Sequence, residues 1–152
     1  MSLALAAPVA SAQLLARRDL SYAMAKTIAE TALEACGAQG YAVAAVVVDR
    51  AGEVMVALKA DNASPTAMEN ARRKAYTARS FRQTTTAYAK RANDGDPVVR
   101  QQLTLPSVIA IPGGVPVKLG EDTIAGVGVS GSPGVDEGCV LAGLAKVAEM
   151  LK

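Results

Sequence analysis

The sequence has 152 residues, of which 16 are basic and 14 acidic, and a formal net charge of +2. This length suits one domain with a sizeable core, and the near-balanced charge predicts no nucleic-acid partner. Aromatic residues make up only 3% of the chain, which also argues against proteins that stack on bases. Histidine is absent, which excludes His-based acid–base catalysis, a Ser-His-Asp triad and histidine ligation of a metal or haem.

The first residues resemble the second half of a secretory signal peptide. The segment from Leu3 to Gln13 contains a short apolar run and an A-x-A pattern at Ala10–Ala12, without a basic region before it. Two interpretations stay open for residues 1–16: a remnant of a signal peptide, which favours a periplasmic or exported protein, or an alanine-rich tail of a cytoplasmic one. Residues 17–152 are predicted to form a single domain, and no segment is long and apolar enough to be transmembrane.

The chain then begins with a predicted helix and a β-hairpin. Apolar residues recur every three or four positions over residues 17–37, which is typical of an amphipathic helix, and Gly37 can end it. Residues 41–48 are rich in valine and predict a buried strand, whereas residues 53–60 alternate in hydrophobicity, as a half-buried strand does. The turn-forming residues 49–52 connect the two strands into a hairpin.

The middle of the chain is predicted to be helical. Residues 64–80 begin with a capping serine and a proline, which is a typical helix start. Shorter helices are predicted over residues 84–91 and 98–103. Seven basic residues and no acidic one occur between residues 70 and 92. A solvated helix face and a local attraction for carboxylate-bearing ligands would each explain this charge.

The last third of the chain predicts three strands and a closing helix. Residues 107–111 and 115–119 are short apolar strands on either side of a Pro-Gly-Gly turn, and residues 123–129 form a glycine-containing strand. A helix follows over residues 135–151. Because the order lacks βαβ alternation, we expect an α+β fold: a five-stranded, largely antiparallel sheet with helices packed on it.

Five short motifs follow one another along the chain: Val46-Val-Val-Asp49-x-x-Gly52, Lys59-x-Asp61-x-Ala63, Lys74-Ala-x-Thr77-Ala78, Gly113-Gly114-x-Pro116 and Gly126-x-Gly128-Val-Ser-Gly131 followed by Asp136. Motifs in this order resemble those of the GlcG/HbpS-like family, which includes the C-terminal domain of PduO-type proteins. The resemblance covers residues 20–151. It implies a profilin-like or PAS-like α/β fold, assembly into dimers or octamer-like shells, and, for several members, binding of haem or its degradation products.

Haem would have to be held in this chain without histidine. Its iron could be bound by a tyrosine, methionine, lysine, cysteine or threonine, or its propionates could be held by arginine and lysine. Haem is therefore a candidate cofactor, and the sequence predicts no metal site.

Lys74 is the candidate catalytic residue and also a candidate ligand-binding residue. Its amine could bind a ligand carboxylate or transfer protons. Alternatively, it forms an ion pair with Asp61 or Asp136 that locks the helix to a loop. Thr77 lies three residues further on the same helix face and could contribute a hydroxyl to either role.

Two glycine-containing loops could supply backbone amides. Gly113 and Gly114 form either an anion-binding nest or a turn that needs a positive φ angle. Ser130 and Gly131 precede the last helix, whose N-terminus could bind an anion.

The two cysteines, Cys36 and Cys139, have neither CxxC nor metal-type spacing. They are predicted to be small buried apolar residues, with a redox thiol as the alternative, and a disulfide framework is not implied.

Two functions are compatible with these residues. The first is an accessory protein that binds haem or another carboxylated small molecule, without turnover, in a pocket at a subunit interface of a homo-oligomer. The predicted ligand-binding residues are Asp61, Lys74, Thr77, Gly113, Gly114, Ser130 and Gly131. The alternative is a cofactor-independent isomerase, tautomerase or lyase for a small oxo-acid. In that enzyme Lys74 would transfer the proton and the glycine-loop amides would stabilise an enolate.

Overall fold

The computed structural model describes residues 15–152, so the signal-like segment from Leu3 to Gln13 lies outside the described residues. The helices are α1 (Tyr22–Gly37), α2 (Ala67–Phe81), α3 (Thr85–Asn93), α4 (Pro97–Gln102) and α5 (Asp136–Val147), followed by a short 3-10 helix (Ala148–Leu151). The strands are β1 (Ala44–Val48), β2 (Val54–Lys59), β3 (Gly114–Leu119) and β4 (Asp122–Ser130). The expected α+β class is confirmed. Within residues 15–152, every helix is too short or too polar to span a bilayer.

The sheet has four strands in the order β2-β1-β4-β3, and all neighbouring strands are antiparallel. The predicted fifth strand over residues 107–111 is wrong. The Val108 carbonyl accepts a hydrogen bond from Arg73 Nη2 at 2.6 Å, and the Ile109 amide donates to Thr77 Oγ1 at 3.0 Å. Because side chains of α2 pair with these backbone groups, the segment runs along that helix and does not join the sheet.

Helices cover both faces of the sheet. Helix α2 packs on one face, chiefly against β4, β1 and β3, whereas α1 and α5 pack together on the other. All five residues of β1 are buried. Ala45 and Val47 belong to the core under α1 and α5, and Val46 and Val48 to the core under α2. Burial on both faces explains why β1 reads as an uninterrupted apolar run.

Two glycines in β4 let α2 lie unusually close to the sheet. A Cβ atom at Gly126 would lie 2.2 Å from the Ala75 carbonyl oxygen, and one at Gly128 would lie 2.1 Å from the Ala71 carbonyl oxygen. Real Cβ atoms do not approach a backbone oxygen this closely, so only glycine fits at these two positions. The two glycines thus allow the backbone of α2 to approach β4 closely.

A disulfide joins α1 to α5 through Cys36 and Cys139, which the sequence predicted to be small buried apolar residues without implying a disulfide. The two sulfur atoms are bonded, the Cα atoms lie 5.6 Å apart and 103 positions separate the residues in the sequence. Their predicted burial is correct, since both are 0% exposed. The sequence spacing contains no information on which helices are neighbours, and this explains why the bond was missed.

Candidate functional site

Lys74 and Asp136 form a buried ion pair between α2 and the first residue of α5. Lys74 is 1% exposed, and its Nζ donates to Asp136 Oδ2 at 2.8 Å and to the Val129 carbonyl at 2.9 Å. The other carboxylate oxygen, Asp136 Oδ1, accepts hydrogen bonds from the Ser132 amide at 2.9 Å and the Ser132 hydroxyl at 2.7 Å. Both charged groups are therefore held by fixed protein partners.

This geometry shows one of the two interpretations of Lys74, the ion pair, with Asp136 rather than Asp61 as the partner. Burial lowers the pKa of Lys74 below the ordinary lysine value, and the hydrogen bond that its amine donates to Asp136 opposes this shift. Asp61 lies on an exposed turn after β2. The pair ties α2 to α5 across the end of β4.

Gly113 and Gly114 pass directly beside this ion pair. Gly113 has a φ angle of +117°, and a Cβ atom there would lie 2.6 Å from the Asp136 Cβ and 3.1 Å from Lys74 Nζ. The Gly114 amide donates to Thr85 Oγ1 at 2.7 Å. The two glycines thus form a positive-φ turn that allows close packing, and the second amide already has a protein partner.

The remaining predicted site residues have structural contacts of their own. Thr77 accepts the hydrogen bond from Ile109 described above, and Ser130 lies opposite Ala44 in the sheet. At Gly131 the φ angle is +132°, and a Cβ atom would lie 2.7 Å from the Ala42 carbonyl oxygen. The structure brings together Lys74, Gly113 and Gly114, but none of the seven predicted ligand-binding residues lines the cavity described next.

An open cavity of about 1030 Å³ lies at one end of the sheet, and we call it the arginine cavity. It is bordered by the segment before α1, the β1–β2 and β3–β4 turns and the C-terminal end of α2. Its lining residues are Ala16, Arg17, Arg18, Asp19, Leu20, Asp49, Arg50, Ala51, Met55, Arg79, Arg82, Leu119, Asp122, Thr123 and Ile124. Five arginines face three aspartates, so this wall is positively charged overall.

Sequence reasoning missed this cavity. Arg79 and Arg82 belong to the basic stretch between residues 70 and 92. Attraction of a carboxylate-bearing ligand was one of the two explanations for the charge of that stretch. The other three arginines come from two separate segments, residues 17–18 and residue 50. Only the folded chain brings these three segments to the same end of the sheet.

Arg50 organises the acidic part of the cavity. Its guanidinium contacts Asp19 Oδ1 at 2.6 Å and Asp122 Oδ2 at 2.7 Å, and it donates to the Arg18 carbonyl at 3.1 Å. The hydrogen bond from Arg50 holds the pKa of the Asp122 carboxyl below its usual value. Asp49 Oδ1, in turn, accepts two backbone amides of the β1–β2 turn. The cavity's aspartates thus have partners within the wall.

Known proteins with the same fold include haem-related ones. The chain matches the family model described as haem degrading protein HbpS-like over residues 20–145. It is similar to a double mutant of Streptomyces reticuli HbpS, with 35% identity, coverage of 93% of this chain and 97% of that chain, and a TM-score of 0.83. The protein ORFY of Klebsiella pneumoniae is 26% identical, with coverage of 91% and 98% and a TM-score of 0.79.

A more distant likeness shows the fold alone. PduOC, whose structure is that of a haem complex, is 22% identical, with coverage of 84% of this chain and 94% of that chain and a TM-score of 0.78. None of the curated proteins matches the chain.

Proposed function

The chain belongs to the HbpS-like family, and we propose that it binds a carboxylate-bearing small molecule, with haem as the first candidate ligand. The observation that carries this proposal is the arginine cavity, which combines positive charge with an apolar wall. Its volume of about 1030 Å³ is close to the upper end of the range for small-molecule sites, roughly 300–1,000 Å³.

The lining of the cavity fits the two parts of a haem molecule. Met55 and Leu119, which are partly exposed, offer apolar surface for a porphyrin ring, whereas Leu20 and Ile124 lie behind them in the core. The arginines offer planar, permanently charged groups for the two propionates. The PduOC haem complex supports the same ligand in a protein of this fold.

The iron would be held without histidine. Met55 lies in the cavity wall, and a methionine thioether is one of the side-chain groups that ligate haem iron in proteins. Haem would supply a redox-active iron when bound, whereas the arginines would orient it through its propionates.

Binding without turnover agrees with the burial and the hydrogen bonds of the Lys74 amine. The alternative enzyme needs the amine of Lys74 to exchange protons with a substrate. This amine is 1% exposed and already donates to Asp136 and to the Val129 carbonyl. The favoured function is therefore that of a binding protein.

A hemin titration followed by absorbance tests this function. We expect saturable binding with a shifted Soret band at one hemin per chain. Met55→Leu should change the band position or weaken binding, because leucine keeps the volume and removes the thioether. Met68→Leu, on α2 and outside the lining of the cavity, is the matched control and should behave as the wild type.

Two outcomes of the titration would change the proposal. A linear, non-saturable response would reject haem and direct the screen to small carboxylated metabolites. A folded Lys74→Met variant that loses hemin binding would place the ligand at the predicted residues around Lys74 instead of the arginine cavity.

We also propose an exported location. Disulfides persist in oxidising compartments such as the periplasm and are rare in the cytosol, and the Cys36–Cys139 bond agrees with the signal-like start of the sequence. Fractionation of the source cells, with the tagged full-length protein recovered only from the cytoplasm, would reject this location.

Assembly into a homo-oligomer is the last part of the proposal. Several large apolar side chains are exposed on the single chain, among them Tyr22 (64%), Leu141 (51%) and Met150 (57%). Burial of such residues between subunits would stabilise a dimer or a larger shell. Light scattering at micromolar concentration should give a multiple of 15.5 kDa, and a monomeric mass would reject assembly.

A further inference from the structure

Only some of the arginines in the arginine cavity form ion pairs. Arg50 is paired with Asp19 and Asp122, whereas Arg79 and Arg82 form no ion pair with any of residues 15–152. Both of these arginines lie at the C-terminal end of α2, where the helix dipole favours cations. The dipole explains why positive charge is tolerated there, but three further observations point to a ligand.

The first observation is the state of Arg79 itself. Its Nε atom is buried and has no hydrogen-bond partner among the described residues. Its Cβ atom would lie 2.9 Å from a Cβ at Gly126, so the side chain starts against the sheet and not in open solvent. Burial, with the nearby charges of Arg50 and Arg82, lowers the pKa of Arg79 below the ordinary arginine value. A buried donor without an acceptor is costly, and the guanidinium forms no ion pair within residues 15–152, so its other N–H groups can bind an anion in the cavity.

The second observation is the backbone of Arg82. This residue follows the last residue of α2 with a φ angle of +57°, in the left-handed region. Glycine is the usual residue at such a helix end, because a Cβ atom is disfavoured there. The left-handed turn ends α2 and places Arg82 at the border of the cavity, so a charged residue occupies a position where glycine would be less costly.

The third observation is a buried hydroxyl in the same wall. Thr123 is 3% exposed, and its Oγ1 has no hydrogen-bond partner among residues 15–152. The strand pairing skips one residue here, since Val117 lies opposite Ala125 and Lys118 opposite Thr123. The resulting bulge leaves Ile124 beside Ala125 in the core under α1 and α5. By the alternation of the strand, Thr123 then lies on the α2 side of the sheet, where Arg79 packs.

We propose that Arg79, Arg82 and Thr123 form an oxyanion-binding subsite of the arginine cavity, which takes one carboxylate or phosphate group of the ligand. The subsite rests on the proposed function in that it places the anionic end of the ligand in the same cavity. The two arginines would supply charge and paired N–H donors, and the threonine a neutral hydroxyl donor.

The proposal is tested by titrating the full chain with succinate and, separately, with inorganic phosphate, at constant ionic strength maintained with chloride. Backbone amide shifts of the cavity residues, followed by NMR, report the affinity of each anion. We expect saturable binding, and the stronger of the two anions identifies the carboxylate or the phosphate as the preferred group. Arg79→Gln should weaken the binding of the preferred anion at least about tenfold, as the loss of a charge-assisted hydrogen-bonded pair does.

Two further variants separate ligand binding from a structural role. Arg82→Gly keeps the positive φ angle but removes its steric cost, and Thr123→Val removes an unpartnered buried hydroxyl. Both variants should therefore keep or raise the melting temperature while weakening anion binding. Arg100→Gln removes an exposed arginine of α4 outside the cavity and is the matched control. It should change neither the melting temperature nor anion binding.

The outcomes distinguish this subsite from the haem proposal. Anion binding that depends on Arg79, in a protein that does not bind hemin, supports the subsite and rejects haem. Hemin binding that is equal in the wild type and Arg79→Gln, with no saturable anion binding, rejects the subsite and keeps haem. A change of oligomeric mass in Arg79→Gln without anion binding would also overturn the subsite, because the arginine would then pair with a carboxylate of a second copy.

Discussion

Replacement of Lys74 by methionine is the perturbation that tests the buried ion pair most directly. Methionine has nearly the length of lysine and fills the same space, but it leaves the Asp136 carboxylate without its counter-charge. Asp136 is 5% exposed and so cannot be solvated where it lies. Its two hydrogen bonds from Ser132 remain.

The expected loss of stability is about 3–5 kcal/mol, the range measured when one partner of a buried ion pair is removed. The lower end is favoured, because Ser132 still holds one carboxylate oxygen. For a domain of this size each kcal/mol corresponds to a melting-temperature change of about 2–4 °C, so the variant should melt on the order of 10 °C lower. Lys26→Met is the matched control. Its partner Glu30 lies 3.4 Å away, and both side chains are about half exposed, so the loss should be at most about 0.5 kcal/mol.

Equilibrium unfolding in urea, followed by circular dichroism and extrapolated to water, measures these differences. The double variant Lys74→Met/Asp136→Asn removes both charges and retains an acceptor for Ser132. We expect it to be more stable than Lys74→Met alone, which would show that the uncompensated charge causes the loss. A Lys74→Met variant within about 1 kcal/mol of the wild type, with no gain in the double variant, would refute the reasoning and return Lys74 to the candidates for a functional amine.

Three further predictions follow from other contacts. Reduction of the Cys36–Cys139 bond, which closes a loop of 103 positions, should lower the unfolding free energy in urea by up to about 4.7 kcal/mol; an unchanged midpoint with dithiothreitol would contradict the bond. Gly128→Ala should cost about 1–3 kcal/mol, because the new Cβ would meet an α2 carbonyl oxygen, whereas Gly138→Ala, with open space around it, should not destabilise the protein. The pKa of Asp122 is lowered by its arginine partner, so this ion pair stabilises the fold above the ordinary carboxyl pKa of about 3.9 and is lost as pH falls through the lower folded value. Asp122→Asn should therefore flatten the fall of melting temperature below about pH 4, and an identical acid profile would count against the pair.

The sequence by itself determined the local elements. Helical spacing and valine-rich runs predicted all five helices and four of the five expected strands near their observed positions, because these patterns depend on residues only a few positions apart. The lack of histidine is likewise a property of composition and excludes the same chemistry in any fold.

The tertiary structure alone decided which distant residues meet. Residues 107–111 have the local pattern of a strand, yet their backbone groups form hydrogen bonds with Arg73 and Thr77 of α2. The partner of Lys74 lies 62 positions away, and that of Cys36 lies 103 positions away.

The arginine cavity shows the same limit for function. Its charged residues come from the segment before α1, the β1–β2 turn, the end of α2 and the β3–β4 turn. Local patterns specify each segment, but only the packing of α2 and the strand order bring their ends to one side of the sheet. Distances through space depend on that packing, and no spacing along the chain encodes them.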